Sequence, residues 1–194
     1  MQRRQKRGLA VPLSRRAKNG DMLRAALSAL GLLAALAWLF AVGPAFGQAI
    51  ERLGEYDDWR AYAYNEDGEK ACYIASQPTK DEGDYTKRGK IYAMVTHRPA
   101  EKVRDEVSLA AGYTYQDQSS VEVKIDGTPF KLFPHQDTAW APDTASDQKL
   151  VDAMKAGTTM VVQGTSARGT LTRDTYSLRG FTRAYQAAAT ACGY

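Results

Sequence analysis

Trp59-Arg60-Ala61-Tyr62-Ala63-Tyr64-Asn65-Glu66-Asp67-Gly68 opens the part of the chain that decides the fold. Trp59, Ala61 and Ala63 alternate with Arg60, Tyr62 and Tyr64, a two-residue period that predicts a β-strand. Asn65 to Gly68 is a turn cluster, and Cys72 to Ser76 is the returning strand of a hairpin. The same grammar continues downstream. Ile91 to His97 and Val107 to Ala111 read as strands. Val121, Val123 and Ile125 alternate with Glu122 and Lys124, and Asp126-Gly127 turns that strand into Pro129 to Phe133. Trp140 lies on a short segment before Pro142. Thr158 to Gln163 is β-branched and apolar enough for a buried strand. Gly169 to Leu178 follows it, with Leu171, Tyr176 and Leu178 as inward candidates.

Two stretches carry a helical pattern. Ser146 to Ala156 has Ser146 as its expected N-cap, Leu150, Val151 and Met154 on one face, and Gly157 as the stop. Thr182 to Ala191 is an alanine-rich helix that leads into Cys192. Ile50 to Glu55 reads as a short polar lead and Pro78 to Lys90 as a loop. The fold class expected is mainly β: a β-sandwich with one short helix between strands and a C-terminal helix, after an N-terminal signal segment.

That signal segment accounts for the charge. The chain has 194 residues and a net charge of +4, which suggests a nucleic-acid partner at first sight. The first 24 residues, however, hold eight of the 26 basic residues and only Asp21 of the 22 acidic ones. The remainder has 18 basic and 21 acidic residues, a net of −3, so no phosphate-binding footprint is expected in the domain. An uncharged apolar run from Ala25 to Val42 follows Arg24, and Gly43-Pro44 breaks it. Small residues at Ala45, Gly47 and Ala49 suit cleavage after Gly47 or Ala49. The expected division is residues 1–47 as signal peptide with a basic extension and 48–194 as a single β-sandwich-like domain. An uncleaved anchor is the rival, since 18 residues is the lower edge of a bilayer span. Met22 offers a second start for a shorter signal segment.

Export sets the reading of the two cysteines, Cys72 and Cys192. An even count in an oxidising compartment favours a disulfide, and neither lies in a C-x-x-C redox pair.

The candidate chemistry is thin. His97 and His135 are the only histidines, each beside a strand end or a proline, and are read as surface residues and not metal ligands. Asp81-Glu82-Gly83-Asp84 lacks the twelve-residue calcium-loop pattern and reads as a solvated loop. Gly164-Thr165-Ser166-Ala167-Arg168-Gly169 has its second glycine one residue late for a nucleophile elbow, and it lies between strands. A Ser166, His135 and Asp137 triad stays open on spacing alone. Asp57 and Asp58 read as turn or surface residues. Tyr62, Tyr64, Tyr73, Tyr85, Tyr92, Tyr113 and Tyr115 could form an adhesive aromatic surface or be ordinary strand composition.

Three segments resemble the invasion-associated locus B family of bacterial exported proteins. Tyr56-Asp57-Asp58-Trp59 followed by Cys72 is similar to the family's opening. Leu150 to Gly157, then Met160-Val161-Val162, resembles its helix and following strand. Tyr176-Ser177-Leu178-Arg179-Gly180-Phe181-Thr182-Arg183-Ala184, running to Cys192, is similar to its closing signature. The resemblance implies a periplasmic or cell-envelope β-sandwich without known enzymatic chemistry, some of whose relatives are associated with host-cell invasion. It also supports the pairing of Cys72 with Cys192. It brings no catalytic residues, metal or cofactor with it. Gly180 is expected at the strand-to-helix junction, Phe181 beneath the sheet, and Trp59 as the opening aromatic. The function expected is a non-catalytic interaction module that binds a protein or an envelope component through an exposed sheet face. It would touch membrane only through the leader, if that is uncleaved. A hydrolase of envelope polymers is the alternative.

Overall fold

A computed structural model of the chain describes residues 50–194. The expected signal segment and its cleavage lie outside the described residues. Eleven strands and two helices follow in chain order. They are β1 (Glu51–Tyr56), β2 (Trp59–Glu66), β3 (Glu69–Ser76), β4 (Lys80–Gly83), β5 (Tyr92–Arg98) and β6 (Val103–Ala110). Then come β7 (Val121–Ile125), β8 (Thr128–His135), β9 (Thr138–Trp140), helix α1 (Thr144–Ala156), β10 (Thr159–Thr165), β11 (Leu171–Ser177) and helix α2 (Phe181–Ala191).

All strand pairs are antiparallel, in the order β1-β2-β3-β5-β6-β9-β8-β7-β10-β11-β4. The mainly β class, the short inner helix and the C-terminal helix are all present. The two sheets of a sandwich are not separate, however. β8 pairs with β7 through Leu132 and with β9 from Phe133 onward, so one ladder runs through both arms. Buried residues of both arms form a single core, from Trp59, Ile74 and Val95 to Val123, Met160 and Tyr176. The arms are tied directly where the Trp59 indole N–H donates to the Ser177 carbonyl at 3.0 Å.

Two hairpin turns follow from their dipeptides. Asp67-Gly68 and Asp126-Gly127 hold φ values of 50° and 89°, and of 46° and 92°. Left-handed φ at both central residues matches the twist of the flanking strands.

Along the elements, the structure departs from the sequence reading at four further points. Glu51–Tyr56 is a strand and not a polar lead, and Lys80–Gly83 is a strand inside the expected loop. Both are edge strands, without a continuous buried face to impose alternation. The N-cap of α1 is Asp143, whose side chain accepts from the Ser146 N–H at 2.7 Å; Ser146 is already inside the helix. Leu171 points outward and is 61 % exposed.

The helices complete the inner surface. α1 packs along β6, and its Asp147 carboxylate accepts the Val107 N–H at 2.9 Å, on the edge that the three-residue β9 leaves uncovered. Burial raises that carboxyl to about 6. α2 lies against β1, β2, β3 and β5. Ala61, Ala63 and Ala93 on the strands and Ala184 and Ala188 on the helix are small and buried, which lets the two backbones approach closely.

Gly180 starts α2 with φ 84°, and a Cβ there would lie 1.9 Å from the Tyr56 carbonyl oxygen. Left-handed backbone and this contact both demand glycine. Gly180→Ala is expected to cost about 2–3 kcal/mol, read as a lower urea midpoint with an unchanged m-value.

Candidate interaction surface

β2 carries large apolar or aromatic side chains on both faces. Its inner residues Trp59, Ala61 and Ala63 are buried, while Tyr62 and Tyr64 stand on the outer face, half-buried. Directly opposed residues share a face of a sheet, so the register follows this outer face across the arm. Tyr62 is opposite Tyr73, with ring centroids 5.0 Å apart and planes 21° from parallel, and Tyr64 meets Tyr73 edge-on at 5.8 Å. One row over, Ala75 faces Met94, Met94 faces Ser108, Ser108 faces Trp140 and Trp140 faces Phe133. Phe133 is 48 % exposed. Antiparallel sheets usually turn polar residues to solvent on one face. Here Tyr62, Tyr64, Tyr73, Met94, Trp140 and Phe133 occupy that face.

Several charges on this face are paired in place. Arg98 holds both Glu106 carboxylate oxygens at 2.8 and 2.9 Å and reaches Glu101 at 3.2 Å; Arg60 reaches Glu55 at 3.0 Å. Past Tyr64, the β2–β3 turn and the 3-10 turn Pro99–Glu101 bound an open groove of about 440 Å³. Tyr64, Glu66, Glu69, Lys70, Arg98 and Glu101 line it. Burial raises the Tyr64 hydroxyl, which also donates to Glu66 at 3.3 Å, and burial likewise raises Tyr73.

Of the tyrosines suspected of forming a surface, Tyr85, Tyr113 and Tyr115 do not join it. Tyr85 and Tyr113 place their rings 5.4 and 5.0 Å from the Arg88 guanidinium. Arg88 makes a two-pronged pair with Asp174 of β11 at 2.7 and 2.6 Å and also donates to the Ala111 carbonyl. Both side chains of the pair are about 95 % buried, at 4 % and 5 % exposed. Tyr113 and Thr172 share a hydroxyl hydrogen bond at 2.6 Å, and Tyr115 is buried in the core. No pattern in the sequence announces this cluster, because Arg88 and Asp174 are 86 residues apart.

His97 is not a surface residue. Its side chain is 1 % exposed on the inner face of β5, following Ala93 and Val95 in the strand's own alternation. Burial lowers its basicity. Nδ1 accepts the Asp105 N–H at 3.2 Å, and the Asp105 carboxylate accepts the Tyr185 hydroxyl at 2.5 Å. His135 is exposed on β8. Ser166 turns its hydroxyl onto the N–H groups of Arg168 and Thr170, a loop arrangement, and no hydrogen bond among the described residues joins it to His135 or Asp137. Asp57 sits in the β1–β2 turn and accepts from Arg179 and Arg183. Asp81 and Glu82 pair into β4 against β11. Among the described residues, no group of three or more His, Cys, Asp or Glu side chains is placed to share a metal ion. No helix among them is long and apolar enough to cross a membrane.

The residues singled out by motif sit at the two ends of α2. Phe181 packs edge-on to Trp59 at 4.9 Å, and both rings are fully buried. Cys72 of β3 is bonded to Cys192 just past α2, with Cα atoms 6.0 Å apart. Trp59, Gly180, Phe181 and the sulfur bridge thus pin both ends of the helix to β2 and β3.

Comparison with known proteins agrees with this architecture. The crystal structure of invasion associated protein B from Bartonella henselae superposes with a TM-score of 0.50 at 17 % identity, covering 71 % of this chain and 95 % of that one. At that identity the likeness is one of fold. No curated protein sequence matches. The family description "Invasion associated locus B (IalB) protein" matches residues 59–189, which runs from the opening tryptophan through most of α2. The chain is therefore a member of the invasion-associated locus B family.

Proposed function

We propose that this protein is an exported, non-catalytic module of the periplasm or cell envelope. It engages another protein or an envelope component through the outer face of β2, β3, β5, β6, β9 and β8. The observation that carries this reading is the set of half-buried Tyr62, Tyr64, Tyr73, Met94 and Trp140 with exposed Phe133 on one face of the sheet. Exposed apolar patches of this kind mark interaction sites, and tyrosine and tryptophan supply contact area at low entropic cost. The groove beside Tyr64 gathers no histidine, serine or cysteine, so its lining offers no nucleophile–base pair of the Ser–His or Cys–His kind. Export is supported by the apolar run after Arg24 and by a disulfide that needs an oxidising compartment. On this reading residues 1–47 are removed and 48–194 act alone.

The test is native co-purification with envelope extract, comparing wild type with Tyr62→Ser/Tyr73→Ser/Trp140→Ser. The triple variant is expected to keep its circular dichroism spectrum and to lose at least tenfold in retained material. Equal retention by a folded triple variant would refute the face as the interface.

A further inference from the structure

A second polar assembly, which the outer face does not use, sits beneath α2. β5 and β6 pair regularly up to Thr96 opposite Glu106; the register then slips before Arg98 meets Val103. The slip is a bulge, and Asp105 within it holds φ 64°, which is uncommon for any residue but glycine. Bulges reshape the ladder locally, and here Asp105 lies buried beside His97, which faces inward by the alternation of β5.

The hydrogen bonds there fix a protonation pattern. Because His97 Nδ1 accepts the Asp105 N–H at 3.2 Å, the neutral ring carries its proton on Nε2. That buried Nε2 has no hydrogen-bond partner among the described residues. The ring lies edge-on to Tyr185 at 5.3 Å and inclined to Tyr194 at 5.6 Å. The Asp105 carboxylate holds the Tyr185 hydroxyl at 2.5 Å, and one of its oxygens is already 3.9 Å from His97 Nδ1. Tyr185 belongs to α2, and Cys72, the helix's covalent anchor on β3, is the ladder partner of His97.

We propose that His97, Asp105 and Tyr185 form a proton-operated latch on helix α2. With the imidazole neutral, Asp105 holds Tyr185 and thereby the helix. A proton taken up on the Nδ1 lone pair turns that atom from acceptor to donor, so it faces the Asp105 N–H donor to donor. The nearby carboxylate then swings to the imidazolium and releases the Tyr185 hydroxyl. The disulfide keeps the far end of α2 attached, so the helix loosens without leaving. A polar site with two discrete arrangements is the physical requirement for such a switch.

The surrounding charges set the direction. Asp105 of β6 favours the imidazolium. Arg104, 3.7 Å from Asp105 and stacked on Tyr194, opposes it, as does Lys155 of α1, whose ammonium lies 3.9 Å from the Tyr185 ring centroid. Burial opposes it most, so His97 titrates below its ordinary range. A histidine depressed in the folded state leaves stability intact above the unfolded value. Stability is lost as pH falls below about 6.5, because the unfolded chain takes the proton first.

Hydrogen exchange of the oxidised protein, corrected for intrinsic rates, tests the latch at pH 7.5 and pH 5. The amides of Ala184 to Ala188 are expected to lose at least tenfold in protection at pH 5, with β7 and β10 unchanged. Tyr185→Phe is expected to give low α2 protection at both pH values, and His97→Gln to remove the pH response. Equal α2 protection at the two pH values, or an undiminished acid response in His97→Gln, overturns the latch. Imidazole ¹⁵N resonances of the wild type provide a check that needs no variant to fold. The neutral Nε2–H tautomer is expected at pH 7.5, and finding Nδ1–H or a charged ring there would equally end the proposal.

Discussion

Cys192→Ser is expected to lower the stability of the oxidised protein by about 4–5 kcal/mol. The bond between Cys72 and Cys192 spans a sequence separation of 120, so it closes most of the described chain, all but β1, β2 and the residues beside them, into one loop. In the chain-entropy view its main effect is on the unfolded ensemble, which it makes more compact and poorer in conformations. A domain of this size has a total stability of about 5–15 kcal/mol, so the loss takes about a quarter or more of it. Two readouts separate this mechanism from lost packing at α2. The urea m-value should rise in the variant, because a chain without the cross-link exposes more surface when it unfolds. Wild type reduced under non-denaturing conditions should match Cys72→Ala/Cys192→Ala in midpoint. A variant as stable as the oxidised wild type, or thiol titration finding both cysteines free in the exported protein, would contradict the argument.

How far the fold could be read from the sequence depended on how much of each element faces the core. β2, β7 and β10 are central strands with a buried inner row, and their alternation is plain in Trp59-Ala61-Ala63, Val121-Val123-Ile125 and Met160-Val162. β1 and β4 are edges that pair on one side only, and Glu51–Tyr56 and Lys80–Gly83 accordingly carry no period. The turn chemistry of Asp67-Gly68 and Asp126-Gly127 is local, so it was legible. The continuity of the ladder through β8 was not. Nothing in Leu132-Phe133 marks the residue at which a strand changes partners.

The candidate site divides in the same way. Tyr62, Tyr64 and Tyr73 could be grouped because the hairpin fixes their register. Adding Met94, Trp140 and Phe133 to that face required four further pairings that only the fold supplies. His97 was misread because Arg98-Pro99 suggested a strand end at the surface. Its inward place was nonetheless encoded, two residues past Val95 and four past Ala93. The bulge that brings Asp105 to meet it left no sign in the sequence.

Arg88→Met is expected to cost about 3–5 kcal/mol, chiefly through what it leaves behind. Asp174 lies almost wholly inside the protein, and Arg88 supplies both of its charge-assisted hydrogen bonds. Removing the guanidinium strands a carboxylate in an apolar site, and also releases the Ala111 carbonyl and the loop pinned between Tyr85 and Tyr113. The pair itself need not be strongly stabilising, since desolvating both ions offsets much of their attraction. The double variant Arg88→Met/Asp174→Leu is therefore expected to be more stable than Arg88→Met alone, although it lacks one more native side chain. The pH dependence carries a definite sign. Burial pushes the Asp174 carboxyl up and Arg88 works against that, so without Arg88 the folded-state value rises further. A carboxyl raised in the folded state contributes stability at low pH that is lost as pH climbs past its unfolded value. Relative to wild type, Arg88→Met should thus be closer in stability at pH 5 than at pH 7.5, and the double variant should lack this trend. Parallel stability profiles for Arg88→Met and wild type between pH 5 and 7.5, measured by urea denaturation, would mean that Asp174 finds another partner or solvent once Arg88 is gone.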